Sequence, residues 1–280
     1  KKRELSVASF RRECREYAMK YVGLMREDFK RLGILGQWEM PYLTMNFGYQ
    51  ASIVRALGAL VQKGMVYKGK KPVHWCLRCR TALAEAEVEY QPHTSPSIFV
   101  KFPLSKASGP ALAHIAPSLA GQPVSALIWT TTPWTIPSNL AVAFHPEFDY
   151  AAYETEGTIL ILAEPLAEQV GAIGGRSLGS PITKFKGHEL EGLRFRHPLY
   201  ERDSVAVLAD YVTLEQGTGA VHTAPGHGAD DFLTGQRYNL DVYTPVGPSG
   251  RFTDDVEGFT GMQVFDANPK IEEALLDAGR

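Results

Sequence analysis

Two polar segments of this 280-residue chain carry the residue types that could perform chemistry. The first, at positions 129–139, reads WTTTPWTIPSN and places hydroxyl side chains directly after an apolar run. The second, at positions 217–231, reads GTGAVHTAPGHGADD and combines small residues with two histidines and two aspartates. If the fold brings these segments together, they form a pocket with hydroxyls on one wall and a carboxylate and an imidazole on the other. Such a pocket suits a small zwitterionic or cationic ligand and a water molecule.

The first segment is expected to distribute its hydroxyls by strand alternation. Thr130 and Thr132 would share one side of a strand, and Thr131 would face the other side. The two prolines that follow would end the strand and stiffen the turn, which would hold Thr135 and Asn139 near the same mouth. The structural alternative is that threonine is simply a good strand former.

The second segment is expected to end a strand and to open a helix. Asp230 fits the N-cap of that helix, which would leave Asp231 free to face the pocket. His222 taken alone is more typical of a structural histidine than of a catalytic one. The group of His222, His227, Asp230 and Asp231 could in principle bind a metal and activate water, but its spacing fits no standard helical ligand pair.

The cysteines supply half of a structural zinc site at most. Cys76 and Cys79 have the CxxC spacing, the third cysteine is Cys14 inside a predicted helix, and His74 cannot complete a four-ligand set. A complete site would need a second pair from a longer protein. Three cysteines do not make a disulfide framework, so we expect a reducing, cytoplasmic setting.

Composition describes an ordinary globular protein with an uneven charge. Hydrophobic residues make up 44% of the chain and the mean hydropathy is -0.16. No apolar run approaches the ~20 residues that a membrane span needs. The first residues are not followed by an apolar stretch, so no signal peptide is expected. The chain does not begin with Met, which predicts a fragment. Residues 1–31 carry ten Lys/Arg and five Asp/Glu, so the formal charge of -2 divides into +5 there and -7 elsewhere. A basic first helix could contact phosphate, or it could be an ordinary solvated helix.

Periodicity predicts helices first and short strands afterwards. Helices are expected over residues 7–32 and 46–62, the second with a buried apolar stripe that includes Ile53 and Leu57. Further short helices are expected at 165–171, 230–238 and 268–278, the last with Asn268 as its cap. The predicted strands are Ile98–Phe102, Val124–Trp129, Tyr150–Tyr153, Thr158–Leu162, Val205–Leu208 and Gly219–Thr223. The pattern predicts a mixed α/β (α+β) protein, with a helical piece over 1–92 and a small mixed β-barrel with peripheral helices over 93–280.

At these two segments the chain resembles the editing domain of bacterial-type isoleucyl-tRNA synthetases. The resemblance runs essentially end to end and includes KPVHWC at 71–76 and ALAEAEVEY at 82–90. Valyl and leucyl relatives would carry an Arg-containing TTRP string, whereas this chain reads TTTPW at 130–134. The resemblance implies that 1–92 flanks the catalytic half and that 93–280 is the inserted editing domain. The HIGH and KMSKS motifs are missing, so no aminoacylation is expected from this chain, and ATP and zinc would serve only a full-length enzyme.

The activity that the resemblance implies is hydrolysis of mischarged valyl-tRNA(Ile), together with valyl-adenylate as a further candidate substrate. A missing methylene is worth only about 1–3 kcal/mol, and valine against isoleucine is the standard example, so a second, smaller site is needed. By resemblance, Asp231 pairs with the α-ammonium group and His222 lines the amino-acid side-chain pocket. Thr130, Thr131 and Thr132 would bind the terminal adenosine, the ester or the attacking water.

The remaining roles implied by the resemblance concern the mouth of the pocket. Thr135 and Asn139 would shape it, and Trp129 would pack near the adenosine of the tRNA(Ile) 3′ acceptor end. Water is the nucleophile, no cofactor or metal is needed for editing, and a monomer is expected. Two other readings stay open, a non-catalytic module that binds the tRNA acceptor end and a metal-dependent hydrolase.

Overall fold

The computed structural model describes residues 4–280. The chain forms two compact units that divide between Lys70 and Lys71. The sequence-based division into 1–92 and 93–280 stays a prediction. Within residues 4–280, no helix combines the length and apolar character needed to cross a membrane.

The described part of the first unit contains two helices, α1 (Val7–Arg31) and α2 (Phe47–Gln62). Helix α1 begins after Ser6, whose hydroxyl accepts a hydrogen bond from the N–H of Ser9 at 3.2 Å. Both predicted helices are confirmed, but the predicted buried stripe of α2 is wrong. Neither helix has a buried residue, and Ile53 is 54% exposed. The physical reason is that the described part of this unit has no further helix or sheet layer to cover the apolar faces.

The second unit is built from short strands with helices at their ends. The described strands are β1 (Trp75–Cys76), β2 (Thr81–Ala82), β3 (Ile98–Pro103), β4 (Val124–Thr130), β5 (Ala141–Phe144), β6 (Asp149–Thr155), β7 (Thr158–Ala163), β8 (Thr183–Lys186), β9 (Arg194–Arg196), β10 (Asp203–Leu208) and β11 (Ala220–Thr223). The helices are α3 (Gly109–Ile115), α4 (Ala167–Ile173), α5 (Ala229–Arg237) and α6 (Asn268–Asp277). All the predicted strands and helices of this unit are present, whereas β1, β2, β5, β8, β9 and α3 were not predicted.

The strands form a small hairpin and two larger sheets. Strands β1 and β2 pair antiparallel, one sheet has the order β11-β5-β10-β9, and the other has the order β3-β4-β7-β6-β8. Two pairs are parallel, β5 with β10 and β4 with β7, and the remaining pairs are antiparallel. The mixed α/β class is therefore confirmed.

The predicted small mixed β-barrel is not closed in the described residues, because its strands form two open sheets. In the described residues they are joined by one isolated bridge, between Leu104 and Phe195, and the N–H of Ser105 donates to the carbonyl of Arg194 at 2.8 Å. A continuous ladder is interrupted there because β3 ends at Pro103, which has no N–H to donate. The pairing of β3 with β9 is therefore limited to the short stretch at Leu104 and Ser105.

The core packs aromatic rings between the sheets and fixes the strand that carries His222. Phe144 lies 5.2 Å from Tyr150 and 6.1 Å from Phe195, centroid to centroid, and all three side chains are fully buried. Each such ring contributes about 1.5–3 kcal/mol through burial. The hydroxyl of Tyr150 donates to the carbonyl of Gly219 at 2.5 Å, which anchors the start of β11 to β6.

Two predicted helix caps are wrong. The N-cap of α5 is Gly228, and Asp230 lies exposed in the first turn, where its charge still suits the helix dipole. The N-cap of α6 is Ala267. The carboxamide oxygen of Asn268 instead accepts a hydrogen bond from the N–H of Trp134 at 3.0 Å, so this side chain ties α6 to the turn after β4.

Candidate functional site

The threonines of the first segment form a continuous row of hydrogen bonds at the end of β4. The hydroxyl oxygens of Thr130 and Thr132 are 3.2 Å apart, as strand alternation predicted for side chains on one side. A 3₁₀ turn follows over Pro133–Ser138, and it brings the hydroxyl of Thr135 to 3.2 Å from that of Thr132. No hydrogen bond of the described residues involves the Thr131 side chain, which is half-buried.

The directions of these hydrogen bonds follow from counting protons. The hydroxyl of Thr135 donates to the carbonyl of Thr132 at 2.8 Å, so it can only accept from the hydroxyl of Thr132. The Thr132 hydroxyl has then used its proton and must accept from Thr130. Thr130 in turn accepts from the backbone N–H of Thr132 at 3.1 Å. Each of the Thr130 and Thr132 oxygens keeps one unused lone pair.

His222 is bound to the far end of this row. Its Nε2 lies 2.9 Å from the hydroxyl oxygen of Thr135, and since that hydroxyl already donates elsewhere, Nε2 must carry the proton. The other ring nitrogen, Nδ1, lies 3.5 Å from Nδ2 of Asn139, which is a donor. The imidazole is therefore neutral, with its lone pair turned toward the Asn139 amide. The contact between Thr135 and His222 joins residues that are 87 positions apart in the chain.

Asn139 is fixed in turn by two further contacts. Its amide nitrogen donates to the carbonyl of Ala141 at 2.7 Å, and its oxygen accepts from the hydroxyl of Ser204. Asn139 and Ser204 are fully buried. Ser204 was not predicted as a site residue, because a serine in a short strand gives no signal of this role. The row of Thr130, Thr132, Thr135, His222 and Asn139 is thus a rigid, fully connected polar network.

Burial keeps the histidines of this region uncharged. Burial, with a smaller effect of His227, lowers the pKa of His222 to about 4. Burial also lowers the pKa of His227 to about 4. Burial lowers the pKa of His197 to about 3, and the nearby Arg202 acts in the same direction. At neutral pH the walls of the site therefore carry no imidazolium charge.

Asp231 is the one predicted site residue with a strongly perturbed carboxylate. Burial raises its pKa to about 6 and Asp230 adds to the rise, while hydrogen bonds from the Ala224 N–H and the Tyr211 hydroxyl act against it. The Ala224 N–H donates to Oδ2 at 2.9 Å. At neutral pH the group is mostly ionised, yet it is poorly solvated, which favours pairing with a cation.

Asp231 contacts a different set of residues from His222. His222 and Thr223 are consecutive in β11 and face opposite sides. The hydroxyl of Tyr211 lies 3.4 Å from that of Thr223 and also contacts Asp231. No hydrogen bond of the described residues joins Asp231 to the threonine row. Convergence of Asp231 with the threonines on one cavity stays a prediction. No sequence motif singles out Tyr211, the tyrosine that contacts Asp231.

Trp129 lies at the same strand end but has its own contacts. Its indole N–H donates to the hydroxyl of Ser97 at 2.6 Å, and its ring packs against Gly217, where an added Cβ would be 3.1 Å from the ring. The half-buried indole therefore joins the first segment to the start of the second. Its predicted contact with an adenosine stays a prediction.

The CxxC segment forms the turn of the β1–β2 hairpin. The Sγ of Cys76 accepts a hydrogen bond from the N–H of Cys79 at 3.3 Å, and this backbone contact is the main reason that the pKa of the Cys76 thiol is lowered. Two sulfur ligands are half of a tetrahedral zinc set. Residues 4–280 contain no cluster of three or more His, Cys, Asp or Glu side chains arranged to hold a metal ion.

Comparison with known proteins gives a family and several close relatives. Residues 1–244 match the family model described as tRNA synthetases class I (I, L, M and V). The isoleucine--tRNA ligase of Nitratidesulfovibrio vulgaris (strain DP4) is 49% identical over 279 residues, which are 100% of this chain and 29% of that protein. The corresponding ligase of Geobacter sulfurreducens is 51% identical over 279 residues, which are 100% of this chain and 30% of that protein. The chain therefore spans less than a third of the length of the curated relatives it matches.

Solved structures share the fold at low identity. The crystal structure of GlLeuRS-CP1 superposes with a TM-score of 0.53 at 17% identity, over 66% of this chain and 97% of that one. The editing domain of the P. falciparum cytosolic leucyl-tRNA synthetase superposes with a TM-score of 0.51 at 12% identity, over 65% of this chain and 97% of that one. At identities this low, the comparison establishes a shared fold only.

Proposed function

Because the chain belongs to the class I tRNA synthetases (I, L, M and V), we propose that it carries the editing activity of an isoleucyl-tRNA synthetase. Its substrate is then valyl-tRNA(Ile), bound by the 3′ acceptor end, with valyl-adenylate as a second substrate. The reaction is hydrolysis of the aminoacyl ester by water in a cytoplasmic protein. Aminoacylation is not part of the proposal for this chain. Two observations support the editing proposal: the sequence identity to isoleucine--tRNA ligases and the hydrogen-bonded threonine row.

The threonine row carries the chemical part of the proposal. One lone pair remains on the hydroxyl oxygen of Thr130 and one on that of Thr132, and Thr132 is exposed. Such acceptors bind O–H groups, so they suit the attacking water or a ribose hydroxyl of the terminal adenosine. Because the row is fixed through His222 and Asn139, these acceptors are held in place before the substrate arrives. Thr131 supplies the third hydroxyl of the proposal.

His222 acts as a wall of the amino-acid pocket rather than as a base. Its Nε2 proton is bound to Thr135 and its Nδ1 lone pair faces Asn139, so neither nitrogen is left to take a proton from water. A buried ring held at both nitrogens is a stiff wall. Steric overlap with such a wall rejects isoleucine more strongly than a missing contact would reject valine.

Asp231 supplies the charge that recognises the amino acid. A poorly solvated carboxylate with a pKa of about 6 gains from pairing with the α-ammonium group of the valyl ester, in a charge-assisted contact. Protonation removes this contact. We therefore expect hydrolysis to weaken as the pH falls through about 6.

The direct test is deacylation of valyl-tRNA(Ile) by the Asp231→Ala variant. Loss of a charged hydrogen bond worth about 1.5–3 kcal/mol predicts a decrease in kcat/KM of roughly 10- to 150-fold. The matched control is Asp230→Ala, because Asp230 is the exposed neighbouring carboxylate in the same helical turn. Hydrolysis by Asp231→Ala at the wild-type rate would remove Asp231 from the mechanism.

Selectivity is tested with the His222→Ala variant and isoleucyl-tRNA(Ile). Removing the ring enlarges the pocket, so the cognate ester should become a substrate. His114→Ala serves as a control, since His114 lies in α3. If the variant hydrolyses isoleucyl-tRNA(Ile) no faster than the wild type does, His222 does not exclude isoleucine from the pocket.

The same assays separate the two rival functions. A non-catalytic module would bind the tRNA acceptor end with a steep salt dependence and hydrolyse neither ester. A metal-dependent hydrolase would lose activity in EDTA and regain it with zinc. The proposed editing reaction persists in EDTA.

A further inference from the structure

The loop between the antiparallel strands β9 and β10, residues 197–202, supports the turn that carries the threonine row. The backbone N–H of His197 donates to the carbonyl of Arg202 at 2.9 Å, which closes this loop. From the closed loop, the side chains of His197 and Arg202 both reach the Pro133–Ser138 turn. The proposed mechanism assigns no role to either side chain.

The Pro133–Ser138 turn is weakly held by its own backbone. A 3₁₀ turn has poorer hydrogen-bond geometry than an α-helix. Two of its six residues, Pro133 and Pro137, have no N–H to donate. Contacts from outside the turn are therefore needed to keep the Thr135 hydroxyl in the row.

His197 holds the carbonyl of Ile136. Its Nε2 donates to that oxygen at 2.8 Å, and its Nδ1 accepts from the N–H groups of Leu199 at 3.0 Å and Tyr200 at 3.1 Å. Both ring nitrogens are therefore occupied, in the neutral form that carries its proton on Nε2. The side chain is buried as well. A histidine fixed in this way is part of the scaffold, because neither nitrogen is left to exchange a proton with a substrate.

Arg202 holds the next carbonyl of the turn, that of Pro137. Its Nη2 donates to this oxygen. The guanidinium carbon lies 5.3 Å from the ring centroid of Tyr200 and 5.3 Å from that of Tyr243, so two aromatic faces attract the cation. The hydroxyl of Tyr200 donates in turn to the carbonyl of Glu257 at 3.0 Å. The guanidinium is therefore held in one orientation, with an N–H directed at the turn.

The charge of Arg202 is half-buried without a salt bridge to any of the described residues. Such a cation is costly to bury, and burial lowers the pKa of this guanidinium. For packing alone, an apolar side chain of similar length would serve as well. What arginine adds is a planar group with N–H donors along its edge, which lies against the rings while it binds a carbonyl.

The two supported carbonyls are directly linked to the candidate site through the chain. Ile136 and Pro137 are the two residues after Thr135, whose hydroxyl contacts both Thr132 and His222. A shift of the turn would therefore displace the Thr135 hydroxyl and lengthen its hydrogen bond from the Nε2 of His222.

We propose that Arg202 is a positioning residue, which holds the Thr135 end of the threonine row in place through the carbonyl of Pro137. Its hydrogen bond goes to the backbone of the turn, so a substitution should change the rate of the chemical step rather than substrate binding. The inference rests on the proposed editing function, because ester hydrolysis is the reaction that the row would serve.

The kinetic test measures kcat and KM for hydrolysis of valyl-tRNA(Ile) by Arg202→Met, at a temperature at which circular dichroism shows the protein to be folded. Methionine fills the space beside the two tyrosines but has no N–H to donate. A misplacement of about 1 Å can cost about 100-fold in rate, so kcat should fall by about 10- to 100-fold. The KM should stay within about twofold of the wild-type value.

Two matched variants separate positioning from a general effect on the fold. Arg202→Lys keeps a cationic donor and should have a higher kcat than Arg202→Met. Arg196→Met removes the neighbouring arginine of β9, which is half exposed and pairs with Asp203 rather than with the turn. This control should have the kcat of the wild type.

Histidine NMR tests the positioning without any substrate. The Nε2 proton of His222 should exchange slowly with solvent in the wild type and in Arg196→Met, because it is bound to Thr135 and buried. In Arg202→Met the loosened turn should speed this exchange at least about tenfold.

Exchange of the His222 proton at the wild-type rate in Arg202→Met would overturn the proposal. So would a rise in KM with an unchanged kcat, or an equal loss of kcat in Arg196→Met. If the wild type hydrolyses no valyl ester while the exchange still depends on Arg202, the editing function fails and the positioning of the row by Arg202 stands.

Discussion

Replacing Asp231 by Asn is expected to stabilise the fold while weakening ester hydrolysis. The wild-type carboxylate is partly buried, and its pKa is raised from 3.8 to about 6, mainly by burial. The charged form is therefore disfavoured by folding. Asparagine removes the charge and keeps an oxygen that can accept from the N–H of Ala224.

The magnitude follows from the two pKa values. At 1.36 kcal/mol per pKa unit, the difference between 3.8 and about 6 corresponds to at most about 3 kcal/mol in the free energy of unfolding. Solvent screening of a partly exposed group reduces this to about 1–2 kcal/mol. The pKa of Asp231 is higher in the folded protein than in the unfolded chain. Between pH 3.8 and about 6, Asp231 is therefore protonated more in the folded protein than in the unfolded chain. The stability that Asp231 contributes is complete below pH 3.8 and is lost as the pH rises through about 6.

Urea denaturation of wild type and Asp231→Asn at pH 4 and pH 7.5 measures this effect. The two proteins should be nearly equally stable at pH 4, and the variant should be about 1–2 kcal/mol more stable at pH 7.5. Asp230→Asn, at the exposed neighbouring position, should show no such pH-dependent difference. A variant that is less stable than the wild type by the same amount at both pH values would refute the reasoning about desolvation.

Two further substitutions test how the site is held. Thr135→Val should lower the free energy of unfolding by about 2 kcal/mol, because it leaves the His222 Nε2–H without an acceptor, and Thr135→Ser should restore most of it in the same denaturation assay. Gly219→Ala should cost about 2–4 kcal/mol, because its φ is +71° and the new Cβ would lie 2.4 Å from the Cβ of Ala163. Gly258→Ala isolates the backbone effect, since its φ is +86° with no atom within 4 Å, and it should cost only about 1 kcal/mol. Equal losses in the two glycine variants would contradict the proposed close packing at the start of β11.

Periodicity located most elements of the fold. The 3.6-residue spacing gave α1 and α2, and alternating or apolar runs bounded by Gly and Pro gave six strands close to their observed positions. Five strands were missed for simple reasons. Strands β1 and β2 have two residues each, which is too short for any periodic signal. Strand β5 is a four-residue apolar run without alternation, β9 has three residues, and β8 is a short polar strand at a sheet edge. Burial of the α2 stripe was not predictable, since it depends on what covers the helix.

The candidate site was predictable where neighbours in sequence are neighbours in space. Strand alternation correctly predicted that Thr130 and Thr132 lie together. The long motifs in the sequence supported the resemblance to isoleucyl-tRNA synthetases, which relatives at 49% and 51% identity confirm. The bond between Thr135 and His222 depends on β5 pairing with β11, a non-local contact without a local signature. Ser204 could not be found either, because its role is set by Asn139 reaching it across the sheet.

The most direct test of the central claim is a crystal structure of the protein with a non-hydrolysable valyl-adenosine analogue. The α-ammonium group should lie within hydrogen-bond distance of the Asp231 carboxylate, while the adenosine or the ester mimic should contact the hydroxyls of Thr130 or Thr132. The valyl side chain should rest against the His222 ring. An analogue bound elsewhere, or bound at the threonine row with its α-ammonium group beyond hydrogen-bond distance of Asp231, would contradict this assignment.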